Sequence, residues 1–113
     1  MKIELLYFDG CPNYKPTRSL IEEVLTAEGL EAEIQEIPVN SAQEAAALGF
    51  LGSPTVRVNG QDVEPGANRR ADPGLKCRVY RDGNRLLGVP PRRLLNVALL
   101  EASLGESHSC CRL

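Results

Sequence analysis

Aromatic residues are scarce in this chain, with no Trp and only 4% Phe and Tyr combined. Its core must therefore be built mostly from Leu, Ile, Val and Ala. No run of ~18 apolar residues is present, which excludes a membrane-spanning helix as the organising element. Neither sign of charge dominates. Thirteen Lys and Arg stand against 15 Asp and Glu, so no nucleic-acid partner and no anionic membrane surface is expected. Met1-Lys2-Ile3-Glu4 enters a strand directly, without the apolar core of a signal peptide, and the expected location is the cytoplasm. No Cys-x-x-Cys occurs, so neither a zinc ribbon nor a dithiol motif is supported. The four cysteines are Cys11, Cys77 and the adjacent Cys110 and Cys111. In a reducing compartment they read as thiols, metal ligands or catalytic groups rather than structural disulfides.

What is present is a single domain over residues 1–105, followed by a flexible Cys-containing tail at 106–113. Ile3 to Phe8 is a short apolar run ending in aromatics, which predicts a central strand. Asp9-Gly10 breaks it. Leu20, Ile21, Val24 and Leu25 form a helical stripe between Asn13 and Glu28, with Asn13 as the cap and Gly29 as the stop. Leu30 to Val39 alternates as a half-buried strand, and Pro38 places it at a sheet edge. Ser41-Ala42-Gln43-Glu44 is a capping box for a short helix that Gly49 closes. Thr55 to Val58, then Asn59-Gly60, then Gln61 to Val63 reads as a hairpin. Pro65 to Gly74 is a turn-rich surface loop. Cys77-Arg78-Val79-Tyr80 is a further strand ended by Asp82-Gly83. Pro90 or Pro91 opens a last helix carrying Leu94, Leu95, Ala98, Leu99 and Ala102, with Gly105 at its end.

This order, with a cysteine after the first strand and Ser53-Pro54-Thr55 before the third, resembles the thioredoxin-like fold in its short, glutaredoxin-like form. Gly10-Cys11-Pro12-Asn13, Gly52-Ser53-Pro54-Thr55 and Cys77-Arg78-Val79-Tyr80 are similar to motifs of a bacterial subgroup. Some of its members are labelled alkylmercury-lyase-like. The resemblance covers roughly residues 2–104. It implies a three-layer α/β/α domain with a mixed four- to five-stranded sheet and three helices. It also implies that Pro54 is cis and sits against the thiol of Cys11. Where relatives carry a second thiol or selenol, this chain has Tyr14.

Cys11 is the best chemical candidate. A helix N-terminus carries partial positive charge and unpaired N–H groups that favour thiolate over thiol. The alternative is an unreactive relic in a fold that has left redox chemistry. Pro12, Tyr14, Ser53 and Thr55 would contact the substrate, with Tyr14 packing over the thiol or donating a hydrogen bond to it. Plain packing is the competing reading for Tyr14. Cys77 divides on topology. If Gln61 to Glu64 pairs with the third strand, Cys77 could begin an added strand at the Cys11 end and resolve a disulfide there. If Cys77 to Tyr80 is that partner, it lies at the opposite end. It could also be a small buried hydrophobe. Cys110, Cys111 and His108 suggest a soft-metal tail, against accessory thiols with no dedicated role. Arg69, Arg70, Arg78, Arg81, Arg92 and Arg93 would include an anion or glutathione site, or else form a solvated surface.

Three functions follow. In the first, Cys11 attacks a disulfide or other sulfur electrophile, with a protein among the candidate substrates. Turnover is then completed by Cys77, a tail cysteine or an external thiol such as glutathione, and no resident cofactor is required. In the second, the chain binds a soft metal or metalloid without catalysis. In the third, it is a redox-inert interaction domain.

Overall fold

The computed structural model describes residues 1–67 and 72–111, with side chains described through residue 104. Its elements are β1 (Lys2–Tyr7), α1 (Tyr14–Glu28), β2 (Glu33–Pro38), α2 (Ala42–Leu48), β3 (Thr55–Val58), β4 (Gln61–Asp62), β5 (Tyr80–Asp82), β6 (Arg85–Leu87) and α3 (Arg92–Cys111). The chain is a mixed α/β protein. Four strands form one sheet in the order β2-β1-β3-β4, and β5-β6 form a separate two-stranded sheet. β1 and β2 are parallel, joined by the α1 crossover, whereas β3 runs antiparallel to both β1 and β4.

Strand periodicity decides how the faces are covered. Ile3 and Leu5 point to one face of the sheet, where they join Val56 and Val58 under Ile21, Val24 and Leu25 of α1 and Leu95 and Leu99 of α3. Leu6 is on the other face, in a smaller cluster with Val39, Ala45 of α2 and Phe50. Two helices thus cover one face and the short α2 the other. Alternation along β1 alone assigns each residue to its layer.

The local signals act as expected at most boundaries. Gly29 and Gly49 close α1 and α2 in the left-handed conformation. Ser41 Oγ accepts from the Glu44 amide at 3.0 Å. Asn59 and Gly60 both take positive φ in the β3–β4 turn, the geometry that favours Asn-Gly in two-residue hairpins.

Three expectations change. The strand expected at Cys77 to Tyr80 begins at Tyr80, and Asp82-Gly83 turns it back into β6 rather than ending it. The preceding stretch forms no strand and meets the main sheet at an isolated bridge between Cys77 and Ser53. Asn13 flanks α1 but makes no side-chain cap. Its carbonyl instead accepts from Thr17 N and Thr17 Oγ1, while its carboxamide lies against Gly88, where a Cβ would collide with it. Finally, α3 continues past Gly105 to Cys111. An interior glycine costs a helix only about 1 kcal/mol relative to alanine, and no proline follows to stop it. Among the described residues, no helix is long and apolar enough to cross a membrane.

Candidate functional site

The end of β1 delivers Cys11. Phe8 to Cys11 forms a tight turn in which the Cys11 amide donates to the Phe8 carbonyl at 3.2 Å, and Gly10 supplies the positive φ. α1 begins three residues later, at Tyr14. Cys11 is 9% exposed and lines an open cleft of about 400 Å³ with Tyr7, Asp9, Pro12, Tyr14 and Lys15. The thiol is therefore recessed but reachable.

Tyr14 has been put to other use. Its ring stacks on Tyr7 with centroids 3.9 Å apart and planes 4° from parallel. Its hydroxyl donates to Glu36 of β2. A phenol has one proton to donate, so it does not also donate to the thiol, and packing is the reading that holds. The Glu36 hydrogen bond, with a smaller contribution from burial, pushes the Tyr14 pKa up to about 12. Arg18, one helical turn on, donates to the other Glu36 oxygen. Tyr14 first, then Arg18, holds the Glu36 carboxyl below its usual range.

The second component is the loop before β3. The Ser53–Pro54 peptide bond is cis, as the resemblance implies. Ser53 is wholly buried, and its Oγ accepts from the Phe8 amide at 3.4 Å. That contact ties the loop to the turn presenting Cys11. Thr55 is also wholly buried, with Oγ1 donating to the Gly52 carbonyl at 2.6 Å. Neither hydroxyl faces solvent, so both shape the loop from inside rather than presenting a polar group to a ligand.

Behind this loop lies a buried charge network that sequence reasoning missed. Arg78 donates to both carboxylate oxygens of Asp62, at 2.6 and 2.8 Å. It also reaches Glu64 at 3.3 Å and Thr55 Oγ1 at 3.2 Å, and lies 4.3 Å over the Tyr80 ring. Burial works against the Arg78 charge, but hydrogen bonding and charge from Asp62 hold its pKa above the ordinary value. Tyr80, wholly buried, donates to the Pro54 carbonyl at 2.6 Å. Burial is the main reason its pKa is raised. The visible signal was an Asp62/Glu64 pair and one Arg inside an apolar stretch. Matching them requires the path of the loop between.

Cys77 is at the Cys11 end of the sheet, bridged to Ser53 just before β3, in line with the alternative in which β4 pairs with β3. It is exposed rather than a buried hydrophobe, and both it and Cys11 are free thiols. Yet Cys77 lines a different cleft, with Lys76, Val79, Arg81 and Leu86, that shares no residue with the cleft of Cys11. The arginines do not converge. Arg78 is buried, Arg92 pairs with Glu23 and Arg93 with Asp82, and Arg69 and Arg70 lie outside the described residues. Among the described residues, no group of three or more His, Cys, Asp and Glu is arranged to hold a metal. The side chains of His108, Cys110 and Cys111 lie outside them. No family model, curated protein or solved structure matches the chain.

Proposed function

We propose that this chain is a cytoplasmic thioredoxin-like thiol protein, of the short glutaredoxin-like form, in which Cys11 performs thiol–disulfide exchange. The observation that carries this reading is the hydrogen bond from Phe8 N to Ser53 Oγ. It joins the strand–cysteine–helix junction to the Ser53-Pro54 loop, two elements 45 residues apart in sequence. The Cys11 thiolate attacks one sulfur of a disulfide, forming a mixed disulfide and expelling the other half as a thiolate. An external thiolate, glutathione being the expected class, then attacks the mixed disulfide and restores Cys11. The separate cleft of Cys77 favours this external route over an internal one. With Cys77, Cys110 and Cys111 replaced by serine in the full chain, exchange with hydroxyethyl disulfide should persist. Adding Cys11→Ser should then reduce it at least 100-fold. Equal rates with and without Cys11 would end this reading.

A further inference from the structure

At the Cys11 end of the sheet, the chain itself covers the edge that continues from β3, and the outer strand β2 ends on a proline. β4 pairs with β3 at Val58 and Arg57, and Val63 N donates to the Val56 carbonyl at 3.1 Å. Beyond the end of β3, Ser53 continues the same edge toward the thiol. Its amide donates to the Lys76 carbonyl at 2.8 Å, and its carbonyl accepts from the Arg78 amide at 2.9 Å. The main-chain groups of Ser53 are thus fully used. On the far side of β1, the matching end of β2 is Pro38, which has no N–H to offer a new strand.

The 76–78 segment is not a loose cover. The Arg78 side chain, 4% exposed, is held by Asp62 at 7% and Glu64 at 14%. Gly52 packs so closely that a Cβ there would stand 3.0–3.1 Å from Arg78 Cβ, Cα and N. Tyr80, two residues on, is anchored to Pro54. Displacing the segment would break two main-chain hydrogen bonds and unpair a buried charge, which an incoming peptide edge does not replace.

We infer that residues 76–78, locked by Arg78, act as a built-in specificity element that shuts extended polypeptides out of the Cys11 site. This inference rests on the exchange reading of Cys11 and narrows its substrate to compact sulfur electrophiles. Recognition by strand addition depends on free main-chain donors and acceptors at an edge. At the Ser53 edge they are satisfied within the chain, and Arg78 is the residue that keeps them so.

The test uses the full chain with Cys11 as its only cysteine. One substrate is hydroxyethyl disulfide. The other is an eight-residue extended peptide whose cysteine carries the same mercaptoethanol leaving group. Rates are normalised to those of free mercaptoethanol with each. The compact disulfide should be preferred at least about tenfold, the factor set by roughly one net hydrogen bond. Adding Arg78→Ala should lower that preference toward unity by raising the peptide rate. If this variant does not fold, as circular dichroism would show, the ratio with Arg78 intact decides alone. A normalised peptide rate equal to or above the compact one overturns the inference while leaving Cys11 exchange standing. Inertness toward both removes the Cys11 reading, and the filter with it.

Discussion

Arg78 and Asp62 face each other through a two-pronged ion pair that is almost wholly withdrawn from water, with side chains 4% and 7% exposed. Such a pair is worth little net compared with apolar packing, but half of it is costly. Arg78→Ala leaves Asp62 buried with its principal cation gone, and Asp62→Ala leaves the buried Arg78 charge with only the longer Glu64 contact. Each should therefore lower unfolding free energy by about 3–5 kcal/mol. Replacing both by apolar residues of similar volume should recover most of the loss. Urea unfolding of the two single variants and the double variant measures this directly. Simple additivity would contradict the assigned coupling.

Gly52 and Gly88 make a matched pair of alanine tests. At Gly52, φ is +120°, and the obstacle to a Cβ is the Arg78 backbone together with its Cβ. Gly52→Ala should cost about 2 kcal/mol or more, since neither the conformation nor the neighbour can relax cheaply. At Gly88 the obstacle is the Asn13 carboxamide, the end of a short side chain that can turn aside. Gly88→Ala should cost less than about 1 kcal/mol. Unfolding midpoints that ranked the two variants in reverse would contradict this placement of Gly52.

Glu36 sets one part of the acid response. Tyr14 and Arg18 both stabilise its carboxylate, so its folded pKa lies below the unfolded value of 4.5. The unfolded chain consequently binds more protons in that window, and stability rises with pH there. The contribution is complete above 4.5 and is lost as pH falls through the lower, folded value. Glu36→Gln should remove this dependence, flattening the acid limb of stability against pH while lowering stability at neutral pH. Parallel acid limbs for the two proteins would show that Glu36 titrates alike in both states. Tyr14 carries the opposite sign. Its folded pKa of about 12 stands above the usual 10.0, so its share persists below 10.0 and declines as pH rises through about 12.

Local chemistry was legible in the sequence wherever one short segment determines the outcome. Asn59-Gly60 fixes its turn, Ser41 its cap, and Leu94, Leu95 and Leu99 the buried stripe of α3. The turn that presents Cys11 was equally local. Tyr14 was only half legible: its aromatic ring predicted packing, but Glu36 lies 22 positions away across a crossover. Arg78 was misplaced among surface cations because its partner is 16 positions back, beyond a hairpin edge and a loop. Whether an arginine is solvated or buried depends on such a partner, and charge patterning along the chain carries no signal for it. The end of α3 was misjudged for a different reason. Gly105 disfavours a helix without forbidding one.

The two described thiols should not pair with each other. Ser53 separates them: Phe8, at the start of the Cys11 turn, bonds to its hydroxyl, and Cys77 bridges its backbone. The two thiols also line clefts that share no residue. A disulfide needs its Cα atoms within about 7 Å, and with Cys77 held on Ser53 the expectation is that it reaches Cys11 only if residues 76–78 leave that position. That departure breaks the two Ser53 main-chain hydrogen bonds and disturbs the Arg78 anchorage. Mass spectrometry of the air-oxidised full chain, digested without reduction, should find no Cys11–Cys77 peptide. With glutathione disulfide present, Cys11 should instead carry a glutathione adduct. A Cys11–Cys77 peptide as the main oxidised product would show that the segment opens readily. Turnover would then proceed through an internal resolving thiol rather than an external one.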